Sequence, residues 1–97
     1  MQADSVVLIN AFEVPPGEDE AFLAGWERQR DLLKGEDGYI STRLHRSLSP
    51  DADFRFVNVA RWRSAKEFRA AVGRPEFRAG GFPYTAHPAL YEVVRED

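Results

Sequence analysis

Asn10 and Asn58 are carboxamides in places a small domain tolerates poorly. Asn10 interrupts the run Val6-Val7-Leu8-Ile9-Asn10-Ala11-Phe12, and Asn58 interrupts Phe56-Val57-Asn58-Val59-Ala60. Both runs read as interior β-strands. A buried amide without a partner costs about 1–3 kcal/mol, a large share of the roughly 5–15 kcal/mol that holds a domain together. Each amide is therefore either satisfied within the fold or kept for a ligand. Trp62 follows Asn58 by four residues, on the same strand face. Each Asn brings two N–H donors and an acceptor oxygen, and the indole brings one donor. Donors aimed at a forming enolate or phenolate oxygen stabilise its charge. Phe12, Trp26, Phe56 and Phe68 supply aromatic walls, so the grouping describes a dry pocket with few polar points. Its chemistry suits a small aromatic ligand bearing phenol or ketone oxygens.

The elements that must position these groups follow from periodicity. Val6 to Val14 is a strand, apolar on both faces apart from Asn10 and Glu13. Pro15-Pro16-Gly17 ends it. Helical spacing of Phe22, Leu23, Trp26 and Leu33 follows, with Glu18, Asp19 and Glu20 in the first turn, where the helix dipole favours acids. Tyr39 to Ser47 alternates as a second strand, with Ile40, Thr42 and Leu44 on one side and Tyr39, Ser41, Arg43 and His45 on the other. Ser49-Pro50-Asp51-Ala52-Asp53 is a turn, and Phe54 to Trp62 is the third strand. Ser64 and Glu67 form a capping box that opens a second helix carrying Phe68, Ala71 and Val72. Gly73-Arg74-Pro75 ends that helix, and Glu76 to Ala79 adds a further helical turn. Residues 80–88 read as a loop, with Gly80-Gly81 as a hinge at a lid, and Ala89 to Arg95 is the last strand.

The order β-α-β-β-α-β is the ferredoxin-like plan, an α+β fold with a four-stranded antiparallel sheet and two helices on one face. The first and third strands are then central neighbours, and both asparagines sit mid-strand. The opposite sheet face, with Val7, Ile9, Ala11, Val57 and Val59, is too apolar to stay wet, which predicts a homodimer packed through that face.

The chain of 97 residues reads as one domain, 1–97. It has no cysteine, which excludes disulfides, thiol catalysis and thiolate metal sites. Its two histidines, His45 and His87, lack a metal-ligand pattern, and no glycine-rich phosphate loop follows a strand. No apolar run is long enough to span a membrane and no export signal is visible, so the expected compartment is the cytoplasm. Acids outnumber bases, 16 to 13, and the arginines are dispersed, so no nucleic-acid partner is expected.

Ile9-Asn10-Ala11-Phe12-Glu13-Val14-Pro15-Pro16-Gly17 resembles the opening strand of the antibiotic biosynthesis monooxygenase superfamily, the dimeric α+β barrel proteins. Phe56 to Ser64, followed by Phe68, resembles their third strand and second helix. The motif Asn10, Asn58-x-x-x-Trp62 is most similar to that of the anthrone oxygenases of aromatic polyketide biosynthesis, which work without a cofactor. The resemblance implies that Asn10, Asn58 and Trp62 bind substrate and assist oxygen chemistry. It also implies an arginine after the second helix, for which Arg78 is the nearest match. One branch carries a tyrosine where this chain has Phe68. The haem-degrading branch shares the first-strand Asn, but its axial histidine and helix tryptophan fall here at about Gly80 or Gly81 and at Ala71, which cannot serve.

The expected function is oxidation of a polycyclic phenol or anthrone to a quinone by a monooxygenase that takes O2 as co-substrate and needs no metal or flavin. Asn10, Asn58 and Trp62 would hold and polarise the reacting oxygens. His87 and Tyr84 are the loop groups that could line the pocket mouth or take a proton, and the substrate's own acidity could replace them. Two alternatives stay open. One is a haem- or small-aromatic-ligand-binding barrel without oxygenase activity, and the other is an isomerase of a lactone or sugar phosphate.

Overall fold

Two strands that alternate between a helix-covered and an open face set the centre of the fold. In the computed structural model, which describes residues 5–79 and 81–97, β1 (Val6–Glu13) and β3 (Phe56–Trp62) are antiparallel neighbours. Gly80 of the expected hinge, and residues 1–4, on which the search for an export signal rested, lie outside the described residues. β2 (Tyr39–Arg46) flanks β3 and β4 (Thr85–Tyr91) flanks β1, giving the antiparallel order β2-β3-β1-β4. α1 (Asp19–Leu33) joins β1 to β2, while α2 (Ala65–Val72) and the short α3 (Pro75–Ala79) join β3 to β4. This is the ferredoxin-like plan expected from the sequence, with α3 at the further helical turn expected over Glu76 to Ala79.

Charge and capping place the helices. Asp19 opens α1 and accepts from Arg55 at 2.8 Å, which ties the helix start to the chain entering β3. Ser64 caps α2, its hydroxyl accepting from the Glu67 amide at 3.1 Å. The reciprocal half of the capping box differs from expectation. The Glu67 carboxylate accepts from the Ser64 hydroxyl at 2.9 Å and pairs with Arg63, because a guanidinium offers a stronger, charge-assisted bond than the Ser64 amide. Gly38 takes a positive φ of 90°, and a Cβ there would lie 2.6 Å from Glu67 Cβ, so the turn into β2 requires glycine.

Packing on the helix side forms two separate clusters. Phe12, Phe22 and Phe56 make one, joined by Leu23, Trp26, Leu44, Phe82 and Tyr84; Phe22 stacks on Phe56 at 4.5 Å. Leu8, Ala60, Trp62 and Ala71 make the other, joined by Leu33, Tyr39, Phe68 and Leu90. The pairing Asn10–Asn58 falls between the Phe12–Phe56 pairing and the Leu8–Ala60 pairing, so a polar row crosses the sheet where the two clusters part. Val7, Ile9, Ala11, Val57 and Val59 project from the other face, half-buried, and belong to neither cluster.

Two strand assignments differ from expectation. β4 begins at Thr85 and ends at Tyr91, so Thr85 to Pro88 pair with β1 instead of forming a loop. Pro88 suggests a break, but β4 is an edge strand, where the missing N–H of proline is tolerated. In β2 the register shifts between Tyr39 and Ser41. That irregularity leaves Ile40 exposed and brings Tyr39 onto the helix-covered face, edge-on to Trp62 at 5.5 Å.

Candidate functional site

The gap between the two clusters is a cavity of about 720 Å³, within the roughly 300–1,000 Å³ typical of small-molecule sites. Its floor is the sheet. Asn10 and Asn58 stand opposite each other there, with Leu8, Phe12, Thr42, Ala60 and Trp62 around them. Directly opposed residues of antiparallel strands hold their Cβ atoms about 4.5–5.5 Å apart. Trp26, Arg30 and Leu33 of α1 form one wall, and Phe68, Arg69 and Val72 of α2 another. Phe77 and Arg78 of α3, with Gly81, Phe82 and Tyr84, complete the lining on that side.

The polar groups on the floor offer both donors and an acceptor. Thr42 Oγ1 donates to Asn58 Oδ1 at 2.6 Å, so the acceptor end of that amide is occupied. Asn10 Oδ1 is buried and has no partner among the described residues. Neither amide nitrogen, nor the Trp62 indole N–H, donates to a described residue. Asn58 and Trp62 are only 8% and 1% exposed, so these donors work where water screens them little. Three donor nitrogens stand in this aromatic hollow beside one unpaired acceptor, Asn10 Oδ1, and the donors are suited to an oxygen that gains negative charge.

Of the residues expected at the site, Asn10, Asn58, Trp62, Phe12, Trp26, Phe68, Arg78 and Tyr84 all line the cavity. Phe56 does not: it is 2% exposed and lies behind, stacked on Phe22. His87 does not either. It pairs across from Ala11 on the open face, where its ring bonds Glu13 at 2.7 Å and packs near Phe54. The reason is the strand that replaces the expected loop: alternation puts the His87 side chain, opposite Ala11, on the face away from the helices. Tyr84 donates its O–H to Glu18 at 3.0 Å. Burial and then that carboxylate push its phenol above the usual range, so it stays protonated and is no base at neutral pH. Tyr39, Thr42 and Phe82 also line the cavity and were not singled out from sequence.

Haem finds no imidazole ligand here. His45 lies on the open face beside the Val57 carbonyl, and His87 lies on the same face, so neither histidine borders the cavity. Among the described residues, no group of three or more His, Cys, Asp or Glu could hold a metal ion. No described helix is long and apolar enough to cross a membrane.

Residues 5–80 match the family described as antibiotic biosynthesis monooxygenase, and the chain belongs to that family. A candidate monooxygenase from Shewanella loihica PV-4 is 39% identical, covering 95% of this chain and 96% of its own, with a TM-score of 0.87. SnoaB, a cofactor-independent oxygenase from Streptomyces nogalater, is 26% identical over 97% of each chain, with a TM-score of 0.83. The haem-degrader MhuD from Mycobacterium tuberculosis, solved with two haems in its active site, is 26% identical. It covers 95% of this chain and 98% of its own, with a TM-score of 0.73. No curated protein sequence gives a match.

Proposed function

We propose that this protein is a monooxygenase that oxidises a polycyclic phenol or anthrone to a quinone with O2 and without metal or flavin. The observation that carries the reading is the set of three uncommitted donors, from Asn10, Asn58 and Trp62, in one aromatic cavity. In the proposed reaction the substrate loses a proton from its reacting carbon. The carbanion, with charge spread onto its ring oxygen, passes one electron to O2. The radical pair joins as a C–O bond, and the peroxide loses water to leave a carbonyl. One oxygen atom enters the quinone and the other leaves in water. The donors on the floor stabilise the enolate oxygen or the nascent peroxide. Among the described residues no carboxylate or imidazole borders the cavity, so the proton passes to solvent and its loss relies on substrate acidity.

SnoaB, similar to this chain over 97% of each, supports the cofactor-independent route. The MhuD likeness favours haem as the alternative ligand, but the position of both histidines on the open face weighs against iron ligation. We also propose that the open sheet face pairs two copies into a homodimer, because its central Val and Ile side chains join neither core cluster.

Dithranol, an anthrone, tests the reaction. Protein freed of metal and flavin is expected to accelerate its air oxidation, with one O2 consumed per quinone formed. Asn58→Ala and Trp62→Phe are each expected to lower the rate by about ten- to a hundredfold. A rate equal to the protein-free background, in protein that remains folded, overturns the reading. A Soret band on titration with haem would favour the alternative.

A further inference from the structure

α1 has a gap in its inward side. Phe22, Trp26, Arg30 and Leu33 face the core or the cavity, and between the first two stands Gly25, buried. Glycine is the poorest helix former after proline, and the core-facing stripe of a helix ordinarily carries apolar side chains. Here the side chain comes from another segment. A Cβ on Gly25 would lie 2.9 Å from Cε1 and 3.3 Å from Cδ1 of Phe82, so the Phe82 ring fills the space that a side chain at position 25 would take. Phe22 and Tyr84 enclose that ring further, each 5.3 Å away between centroids, and Phe12 meets it edge-on at 5.7 Å. Two residues on, the Tyr84 O–H donates to Glu18, the residue before α1, at 3.0 Å. The chain from Phe82 to Tyr84 is thus held to α1 at two points, and both of these aromatics line the cavity.

Resting on the reading of the cavity as an aromatic site, we propose that Gly25 and Phe82 together set how large an occupant the cavity takes. Phe82 is the end wall on the side of the Phe12, Phe22 and Phe56 cluster, and the missing side chain of Gly25 is the recess that holds the wall back. Gly25 acts through Phe82 and is a positioning residue. The argument is one of volume. Non-bonded carbon atoms pack best about 3.5–4.0 Å apart, so a methyl group at position 25 displaces the Phe82 ring. Phe12, Phe22 and Tyr84 are packed around that ring, and the open space beside it is the cavity. A close-packed interior passes a displacement on to wherever room remains. The wall then advances toward the asparagine row. Alanine is a better helix former than glycine, so Gly25→Ala narrows the cavity without unwinding α1.

Binding of a smaller and a larger ring system measures the wall. The full chain is titrated with 2-naphthol, a two-ring compound, and with 1-hydroxyanthraquinone, a three-ring compound, following quenching of tryptophan fluorescence. The quantity read is the ratio of the two dissociation constants. Gly25→Ala is expected to weaken the larger compound about tenfold relative to the smaller, the scale of an overpacked contact. A change confined to helix stability would move both compounds alike. With Phe82→Ala already in place the added methyl meets no ring, so Gly25→Ala is expected there to leave the ratio as it is. Phe82→Ala alone is expected to move the ratio in the opposite direction, which tests the wall even where Gly25→Ala does not fold. An unmoved ratio in folded Gly25→Ala or Phe82→Ala protein, or a Gly25→Ala shift that persists with Phe82→Ala, overturns the wall and leaves the aromatic site standing. Failure of both compounds to bind the unmodified protein overturns the wall together with the aromatic reading.

Discussion

Thr42 donates to Asn58 Oδ1 across 2.6 Å and so orients the carboxamide, leaving its N–H2 end for a ligand. A valine at this position keeps the shape and removes the bond. Thr42→Val is expected to slow dithranol oxidation about tenfold and to cost about 1–3 kcal/mol of stability, the penalty for a buried acceptor left alone. Thr42→Ser restores the hydroxyl and is expected to restore most of the rate. Initial rates beside urea midpoints check this, and an unchanged rate in Thr42→Val removes the positioning role. Asn10, Asn58 and Trp62 were legible in the sequence because a polar residue inside an apolar strand run stands out. Thr42 was not, since threonine on a half-polar strand is ordinary and its partner is sixteen residues away. Phe56 misled for a related reason. Residue type and strand parity put it on the right face, but its stacking on Phe22 depends on how α1 lies across the sheet.

Asp19 joins the start of α1 to Arg55 and, at 3.8 Å, to Arg46. The hydrogen bond from Arg55, helped by both positive charges, holds its carboxyl below the ordinary value of 3.8. A depressed folded-state value stabilises the protein above the unfolded-state value, and that contribution fades as pH falls through the folded-state value. Asp19→Asn is therefore expected to be less stable than the unmodified chain near neutral pH. The gap should narrow only below about pH 4, as followed by urea unfolding across an acid series. A constant gap at every pH would mean that the pair contributes no titrating stability. Element order, helix limits and the central strand pair could be read from periodicity and from breakers such as Pro15-Pro16-Gly17. β4 could not, because Pro88 is a break in an interior strand and harmless on an edge, and only the assembled sheet says which applies. The shift at Tyr39 was hidden likewise: an alternating run carries no sign of the residue at which its alternation slips.

The apolar centre of the open sheet face is the feature that a second copy would cover. Ile9 lies opposite Val59 and beside Ala89 in the register, at the middle of that face. Ile9→Glu is expected to convert a dimer into a monomer, read as a halving of the mass by light scattering, because a buried carboxylate without a partner opposes association strongly. A monomeric unmodified chain would remove the dimer. The divided interior has a consequence for heat stability as well. Phe12, Phe22 and Phe56 on one side, and Leu8, Ala60, Trp62 and Ala71 on the other, share the sheet beneath them but leave a hollow over the asparagine row. An occupant would act as a keystone, giving both halves a shared surface. The melting temperature should then rise with occupant concentration, the folded state gaining about 2.7 kcal/mol at a hundredfold excess over the dissociation constant.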